Sequence, residues 1–175
     1  NFVGGEVRVT DVMGALRDEV AEGLLEAEEL LSDGTAKCWG FNNKGQLGQG
    51  STESLGDATG EMGDDLPPVD LGTGMSAIAV SAGNSHTCAL LDTREVKCWG
   101  FNQFGNLGLG TSSHQGDNPN EMGDNLSFVE LGTGRTAVDL TAMTQSVCAV
   151  LDNGDVKCWG RNQHGQLGIE NTATI

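Results

Sequence analysis

Residues 98–110 read CWGFNQFGNLGLG, and this stretch decides the interpretation of the whole chain. It recurs 60 residues earlier as CWGFNNKGQLGQG, residues 38–50, and 60 residues later as CWGRNQHGQLGIE, residues 158–170. The agreement extends beyond the motif, because residues 38–74 and 98–134 are identical at 21 of 37 positions without a gap. Agreement of that length does not arise by chance, so the chain is an array of 60-residue repeats.

Each full repeat reads as short strands separated by turns. Apolar runs that predict strands lie at 77–80, 87–91 and 96–99 in one copy and at 137–140, 147–151 and 156–159 in the next. With a fourth strand expected in the rest of each repeat, this gives four short strands in 60 residues, which is typical of a β-propeller blade rather than of a helical solenoid. The sequence therefore predicts an all-β fold of four-stranded antiparallel blades, about three in number, which amounts to a partial propeller.

A three-residue turn joins the second and third strands of each repeat. Ser32-Asp33-Gly34 and Asp152-Asn153-Gly154 place glycine at the left-handed position that closes such a turn. The middle copy reads Asp92-Thr93-Arg94, so Arg94 stands where glycine is favoured. We expect this hairpin to be strained or differently shaped.

One tryptophan recurs in every repeat, and its surroundings depend on the neighbouring blades. Because a single blade cannot bury both of its faces, Trp39, Trp99 and Trp159 are expected to pack between blades. Closed propellers need at least four blades, and this chain holds about three repeats. We therefore expect either an excerpt of a longer protein, which we favour, or several chains that complete one assembly.

Residues 1–29 depart from the repeat pattern and form a diverged N-terminal segment. The stretch MGALRDEVAEGLLEAEELL, from Met13, has apolar residues near helical spacing with acidic residues between them. It reads as a helix that caps the first blade or as a degenerate strand, and the spacing favours the helix. The propeller-type repeats then occupy residues 30–175, with units starting near Cys38, Cys98 and Cys158.

Four of the five cysteines form two pairs that are ten residues apart. Counting outward from the hairpin turns places Cys88 opposite Cys98, and Cys148 opposite Cys158, on neighbouring strands. Such positions bring the Cβ atoms to roughly 4.5–5.5 Å, which disulfide geometry accommodates with a small adjustment. Cys38 has Glu28 at the corresponding position, so we expect it to remain a thiol or to bond to another chain.

The paired cysteines and the charge indicate where this chain acts. Structural disulfides predict an oxidising compartment, either outside the cell or within the secretory pathway. The sequon Asn125-Leu126-Ser127 makes Asn125 a candidate for glycosylation there. The 25 acidic residues outnumber the 9 basic ones for a net charge of −16, which opposes binding to nucleic acid or anionic membranes. The sequence also contains no run of 18 apolar residues, so no insertion into a membrane is predicted.

The sequence presents no constellation that predicts catalysis, so we expect no enzyme and no cofactor. His86 lies at the start of a predicted strand, without a neighbouring nucleophile or acid, and is expected to be packed inside. Acidic residues recur in the long loops, and calcium binding is one possible role for them. Roles in turns and capping are favoured over calcium binding. These calcium candidates are Asp57, Glu61, Asp64, Asp117, Glu121 and Asp124.

The motif Cys-Trp-Gly-x-Asn-x-x-Gly-x-Leu-Gly, preceded by AGNSHTCALL from Ala82, resembles the regulator of chromosome condensation repeat family. The resemblance covers about residues 30–170 and implies propellers, commonly of seven blades. It also implies diverse roles, which include a nuclear exchange factor for the Ran GTPase, parts of giant ubiquitin ligases and secreted propellers. Their common feature is a scaffold that presents loops to other proteins, and the fold alone does not choose among these roles.

The favoured function is a non-enzymatic extracellular module that binds proteins or glycans through its loops. Lys44, Phe104 and His164 occupy one variable position of the repeat and are the candidate contacts, together with 51–55 and 111–115. Phe104 is the sharpest candidate, because an aromatic side chain on a rigid turn often anchors an interface. The alternatives are a subunit that assembles with its own copies through open repeat edges, and an intracellular GTPase exchange factor.

Overall fold

The computed structural model describes residues 26–174, which form β-strands, turns and two short 3-10 helices. The strands are β1 (Glu26–Leu30), β2 (Ala36–Gly40), β3 (Ala77–Ala82), β4 (His86–Leu91), β5 (Val96–Gly100), β6 (Ala137–Ala142), β7 (Ser146–Leu151) and β8 (Val156–Gly160). The 3-10 helices are Gly63–Asp65 and Gly123–Asn125. Among the described residues no helix is long and apolar enough to cross a membrane.

The strands form three antiparallel sheets, one for each repeat, which confirms the all-β propeller architecture. The sheets are β1-β2, β3-β4-β5 and β6-β7-β8. The fourth strand that the sequence predicts is reduced in the first two repeats to one isolated bridge, Gly40 to Leu55 and Gly100 to Gln115. Gly40 and Gly100 have φ values of 109° and 97°, so the chain turns out of the extended conformation at that point.

The N-terminal segment contradicts the favoured helix where the structure describes it. Glu26–Leu30 is strand β1, and Glu28 pairs with Cys38 as Cys88 pairs with Cys98 in the next sheet. This stretch is therefore the degenerate strand of the first repeat. Its acidic residues have fair helix propensity, but the backbone pairing with β2 prevails over that weak preference. Residues 1–25, which include the rest of the predicted helix from Met13 onward, lie outside the described residues.

Tryptophan side chains form the junctions between neighbouring blades. The Trp99 indole is fully buried and donates its Nε1–H to the carbonyl of Gln46 in the preceding repeat, at 2.8 Å. Trp159 repeats this contact with the carbonyl of Asn106, at 2.9 Å. Trp39 is half-buried. The predicted burial between blades is thus confirmed for Trp99 and Trp159.

The hairpin turns have one shape in all three repeats. The N–H of Gly34, Arg94 and Gly154 donates to the carbonyl of the residue three positions earlier, at 3.0, 2.9 and 2.9 Å. Their φ values are 85°, 69° and 87°. Arg94 therefore adopts the left-handed conformation that favours glycine, and of the two outcomes expected from the sequence the strained one is observed.

The last described blade has one open face. Val96 on β5 is fully buried, whereas the equivalent Val156 on β8 is 64% exposed. The difference arises because the third repeat packs over the second, while no repeat within the described residues packs over the third.

Candidate binding face

The loops that follow β2, β5 and β8 lie at one end of the sheets and are called the loop face here. They comprise residues 41–54, 101–114 and 161–174. The N–H of Phe101 donates to the carbonyl of Ser85 at 2.7 Å, which ties the second loop to the turn that precedes β4. Arg161 makes the same bond to Gln145 at 2.9 Å. Successive repeats therefore present corresponding residues on one surface.

A buried asparagine holds each loop in place. Asn102 accepts a hydrogen bond from the N–H of Leu107 at 2.9 Å. Its Nδ2 donates to the carbonyls of Thr111 and Ser113, at 3.0 and 2.8 Å. Asn42 and Asn162 make equivalent bonds in the other repeats. Because one side chain fastens both ends of the loop, the side chains on its surface are held in fixed positions.

Aromatic rings cluster on the surface of the second loop. Phe101 and Phe104 meet edge to face, with ring centroids 5.8 Å apart. The ring of His114 lies 5.2 Å from that of Phe101, and its Nδ1 accepts the N–H of Asn102 at 3.0 Å. We call Phe101, Phe104 and His114, together with Arg161, the aromatic platform.

Arg161 brings the next repeat into this platform. Its guanidinium carbon lies 5.0 Å from the centroid of the Phe104 ring, a cation–π contact across the blade junction. Its Nη1 donates to the side-chain oxygen of Gln145, and its Nη2 donates to that of Gln163. The guanidinium is therefore fixed over the ring before any partner arrives.

The structure separates the three contact candidates. Phe104 is half-buried and belongs to the platform, Lys44 is half-buried on the first loop, and His164 is exposed on the third. The stretch 111–115 contributes His114 to the platform, whereas 51–55 lies on the neighbouring loop. Phe104 was predicted as a contact residue from the sequence, whereas its neighbours Phe101 and Arg161 were not, because the contact to Arg161 joins two different repeats.

Two of the acidic calcium candidates, Glu61 and Asp124, accept hydrogen bonds that hold loops in place. Glu61 accepts the N–H groups of Ala58 and Gly56, at 3.0 and 2.8 Å, and these bonds lower the pKa of its carboxyl. Asp124 accepts both the hydroxyl and the N–H of Thr73, which lower its pKa in the same way. Each carboxylate thus fastens a loop.

A carboxylate pair lies in the second long loop. Partial burial and a hydrogen bond with Glu121 raise the pKa of Asp117. Partial burial also acts to raise the pKa of Glu121, but hydrogen bonds from Asn118 outweigh it and lower the value. Within residues 26–174, no three carboxylate, cysteine or histidine side chains come together to hold a metal ion. The six candidates are spread over two loops, 57–64 and 117–124.

The cysteines adopt the pairing that the sequence predicts. Disulfides join Cys88 to Cys98 and Cys148 to Cys158. Cys38 is a buried thiol opposite Glu28. Asn125, the glycosylation candidate, is exposed at the end of the second 3-10 helix.

His86 lies inside the protein at the start of β4, opposite Gly100 and next to the base of the second loop. Its side chain is fully buried, and burial lowers the pKa of the imidazole to about 4. The ring fills the space over Gly83, where an added Cβ would come within 2.3 Å of it. This placement agrees with a packing role.

A buried lysine at the blade junction escaped the sequence analysis. Lys97 is fully buried, and its Nζ donates to the carbonyls of Leu71 and Gly123, at 2.9 and 2.7 Å, in the loops of two repeats. Burial lowers its pKa, and the charges of Asp124 and Asp70 oppose this shift. The recurrence of lysine before every Cys-Trp-Gly, at Lys37, Lys97 and Lys157, was the available signal.

Comparison with known families identifies the repeat. The description "Regulator of chromosome condensation (RCC1) repeat" matches residues 33–90, and a second description of the same repeat matches 77–106 and 145–166. Together the two cover more than half of the chain.

Curated relatives share the array. The chain is 34% identical over 155 residues to the ultraviolet-B receptor UVR8 of Arabidopsis thaliana, which covers 87% of this chain and 31% of the receptor. It is 29% identical over 152 residues to protein RCC2 of Mus musculus, which covers 85% of this chain and 26% of that protein. The chain therefore spans at most about a third of the length of these relatives.

Solved structures share the fold. Yeast RCC1 (Prp20), bound to Kap60, has a TM-score of 0.62 at 18% identity and covers 87% of this chain and 34% of its own. Prp20p from Saccharomyces cerevisiae, described with binding properties to Gsp1p and histones, has a TM-score of 0.60 at 18% identity over 87% of this chain and 35% of its own. The CRINKLY WD40 ectodomain of the Arabidopsis thaliana receptor kinase ACR4 has a TM-score of 0.50 at 20% identity over 86% of this chain and 42% of its own.

Proposed function

This chain belongs to the regulator of chromosome condensation repeat family, and we propose that it is a non-enzymatic scaffold whose loop face binds a protein or glycan partner. The observation that carries the proposal is the aromatic platform, in which Phe104 is half-buried on a loop fastened by Asn102. Rings that are already fixed lose little conformational freedom on binding, so the surface suits a partner interface.

The chemistry of the described residues supports a binding role over catalysis. His86 is buried and uncharged at neutral pH, because its pKa lies at about 4. His114 has its Nδ1 occupied by a backbone N–H, and His164 stands exposed on the third loop. A general base needs a substrate proton within hydrogen-bond reach, and the full burial of His86 gives a substrate no such approach.

We place the protein in an extracellular or secretory compartment. The disulfides Cys88–Cys98 and Cys148–Cys158 support this location, because structural disulfides persist where the surroundings are oxidising. The same fold occurs in a receptor-kinase ectodomain, so the architecture is compatible with the outside of a cell. Protein from its native source should carry both disulfides and, if it passes through a glycosylating pathway, a glycan on Asn125. Intact-mass measurement after alkylation that finds these four cysteines reduced would refute the location.

The binding proposal is tested at position 104 with a photo-crosslinking residue. Benzoylphenylalanine at position 104 should capture a partner from the native extracellular fluid, whereas the same group at Met62, which is exposed outside the loop face, should not. Phe104→Ala should then lower the affinity for the captured partner by about tenfold or more, as expected for an aromatic anchor, and Met62→Ala should leave that affinity unchanged. Equal capture at both positions, or equal affinity of both variants, would overturn the proposal.

Assembly with other copies of the chain is the second candidate function. The open face of the third blade exposes Val156 to 64%, where its counterpart Val96 is covered by the following repeat. An uncovered repeat face can accept a further unit from another chain. Light scattering separates the two candidates: a concentration-dependent polymer that Val156→Lys abolishes supports assembly, and a monomer at all concentrations rejects it.

A further inference from the structure

The loop face differs in charge from the rest of the molecule. The chain carries a net charge of −16, yet among the described residues the loop face holds only Glu53 and Glu170 as carboxylates, with the Asp117 carboxyl near His114 at its edge. The loop face also carries two basic residues, Lys44 and Arg161, and two histidines, His114 and His164. The opposite hairpin end carries two arginines, Arg94 and Arg135, against five carboxylates: Asp33, Asp92, Glu95, Asp152 and Asp155. An acidic partner is therefore repelled least at the loop face.

Arg161 supplies a preformed receptor for a carboxylate on this face. Gln145 and Gln163 each accept one hydrogen bond from its Nη groups, and Phe104 supports its plane at 5.0 Å. Each Nη carries two N–H bonds, so each retains one donor for a ligand. A guanidinium that is already oriented binds a planar carboxylate with little further loss of side-chain freedom.

We propose that the loop face recognises an acidic segment of a partner protein, with Arg161 as the carboxylate anchor and Phe101 and Phe104 as the apolar contacts. This inference rests on the proposed scaffold function and specifies the chemistry of its partner. The two phenylalanine rings beside the cation favour a segment in which an apolar side chain follows an aspartate or glutamate. A carboxylate-bearing glycan would use the same guanidinium, and it is therefore one arm of the test.

The test measures fluorescence anisotropy with labelled peptides at about 0.15 M salt, where a Debye length of about 8 Å screens the negative charge of the rest of the chain. The probe is (Asp-Gly-Leu-Gly)3, with (Asn-Gly-Leu-Gly)3 and (Lys-Gly-Leu-Gly)3 as controls and sialyllactose as a competitor. We expect the aspartate peptide to bind at least about tenfold more tightly than either control, because asparagine lacks the carboxylate and lysine reverses its charge. Arg161→Gln should weaken it by about fivefold or more, and Arg161→Lys should restore only part of the loss, because lysine lacks the planar fork.

Arg135→Gln is the matched control, because Arg135 lies at the hairpin end near Asp152, at 3.6 Å, and its loss changes the net charge equally. Equal weakening of peptide binding by both variants, or equal binding of the three peptides, would overturn the inference. Displacement of the labelled aspartate peptide by sialyllactose, but not by the same peptide without its label, would also overturn it. Absence of any peptide binding below about 1 mM would also overturn it, while crosslinking of a partner at position 104 would leave the scaffold function intact. Should Arg161→Gln fail to fold, a photoreactive aspartate peptide that labels residues outside the loop face contradicts the inference with the unaltered chain.

Discussion

Arg94 shows how one residue can depart from the repeat without changing its shape. It takes the left-handed conformation with φ of 69°, where the other two hairpins have Gly34 and Gly154. Its N–H still donates to Leu91 and its carbonyl still accepts the N–H of Ala137, both at 2.9 Å. The backbone bonds of the turn thus outweigh the local cost of a side chain at this position.

Arg94→Gly should stabilise the protein by about 1 kcal/mol, because glycine adopts this conformation without the clash of a Cβ. Chemical denaturation of the variant and the unaltered chain measures the difference. The matched change is Gly154→Ala, whose added Cβ meets no atom within 4 Å, so that only the backbone strain changes. It should destabilise by a similar amount. A destabilised Arg94→Gly would mean that the arginine side chain contributes more than the turn loses.

His86 should make stability fall as the solution is acidified. The pKa of its imidazole is lowered from 6.5 to about 4 in the folded protein, so between these pH values the unfolded chain binds a proton that the folded chain does not. Stability from this group is therefore complete above about pH 6.5 and declines by up to about 3 kcal/mol towards pH 4.

Urea denaturation at pH 7 and pH 5 tests this effect, with His86→Gln as the comparison. The variant should lose less stability over this interval than the unaltered chain, because glutamine does not titrate. Parallel losses in the two proteins would contradict the buried neutral histidine.

At the scale of elements, the hairpin register was the most predictable feature. Counting outward from the turns placed Cys88 opposite Cys98, because alternation along two strands leaves one register once the turn is known. Strand β1 was not predictable in the same way, since its residues Glu26–Leu30 carry a weak helical pattern and only the pairing with β2 decides their conformation. The prediction of a full fourth strand was wrong for a related reason. Only one bridge forms there in each of the first two repeats, and its position depends on the path of a long loop.

For the loop face, single candidate residues could be predicted from the sequence, but the contacts between them could not. Phe104 stands out in the sequence as a variable aromatic on a conserved turn pattern of the array. Its contact with Arg161 lies across a blade junction, so it follows from the packing of two repeats and not from local spacing. The same reason hid the role of Lys97, whose two carbonyl partners come from different loops.

The two disulfides should differ in their resistance to reductant. Cys88 and Cys98 are fully buried between blades, whereas Cys148 and Cys158 are half-buried on the open third blade. Without denaturant, dithiothreitol should therefore reduce Cys148–Cys158 first, because attack on a disulfide requires access of the thiolate. Alkylation at intervals and peptide mass analysis give the order. Simultaneous reduction, or reduction of Cys88–Cys98 first, would show that the third blade is covered.

At the scale of the whole molecule, the acidic residues and the aromatic rings lie in different parts of the array. Carboxylates such as Glu61 and Asp124 fasten the long loops, and the hairpin end carries further acidic residues. The loop face is left with few carboxylates and with rings held by Asn102 and its counterparts. A strong net charge and a defined contact surface are therefore compatible in one small chain.

Side-by-side packing of the blades underlies every part of this account, and the indole protons of Trp99 and Trp159 report on it most directly. Each donates to a carbonyl of the preceding repeat, Gln46 or Asn106, from a buried position. Hydrogen exchange followed by NMR, with each signal assigned by a tryptophan-to-phenylalanine variant, should show both indole protons at least about a hundredfold slower than in free tryptophan. Exchange of either proton at the rate of free tryptophan would contradict the packing, and the loop face with it.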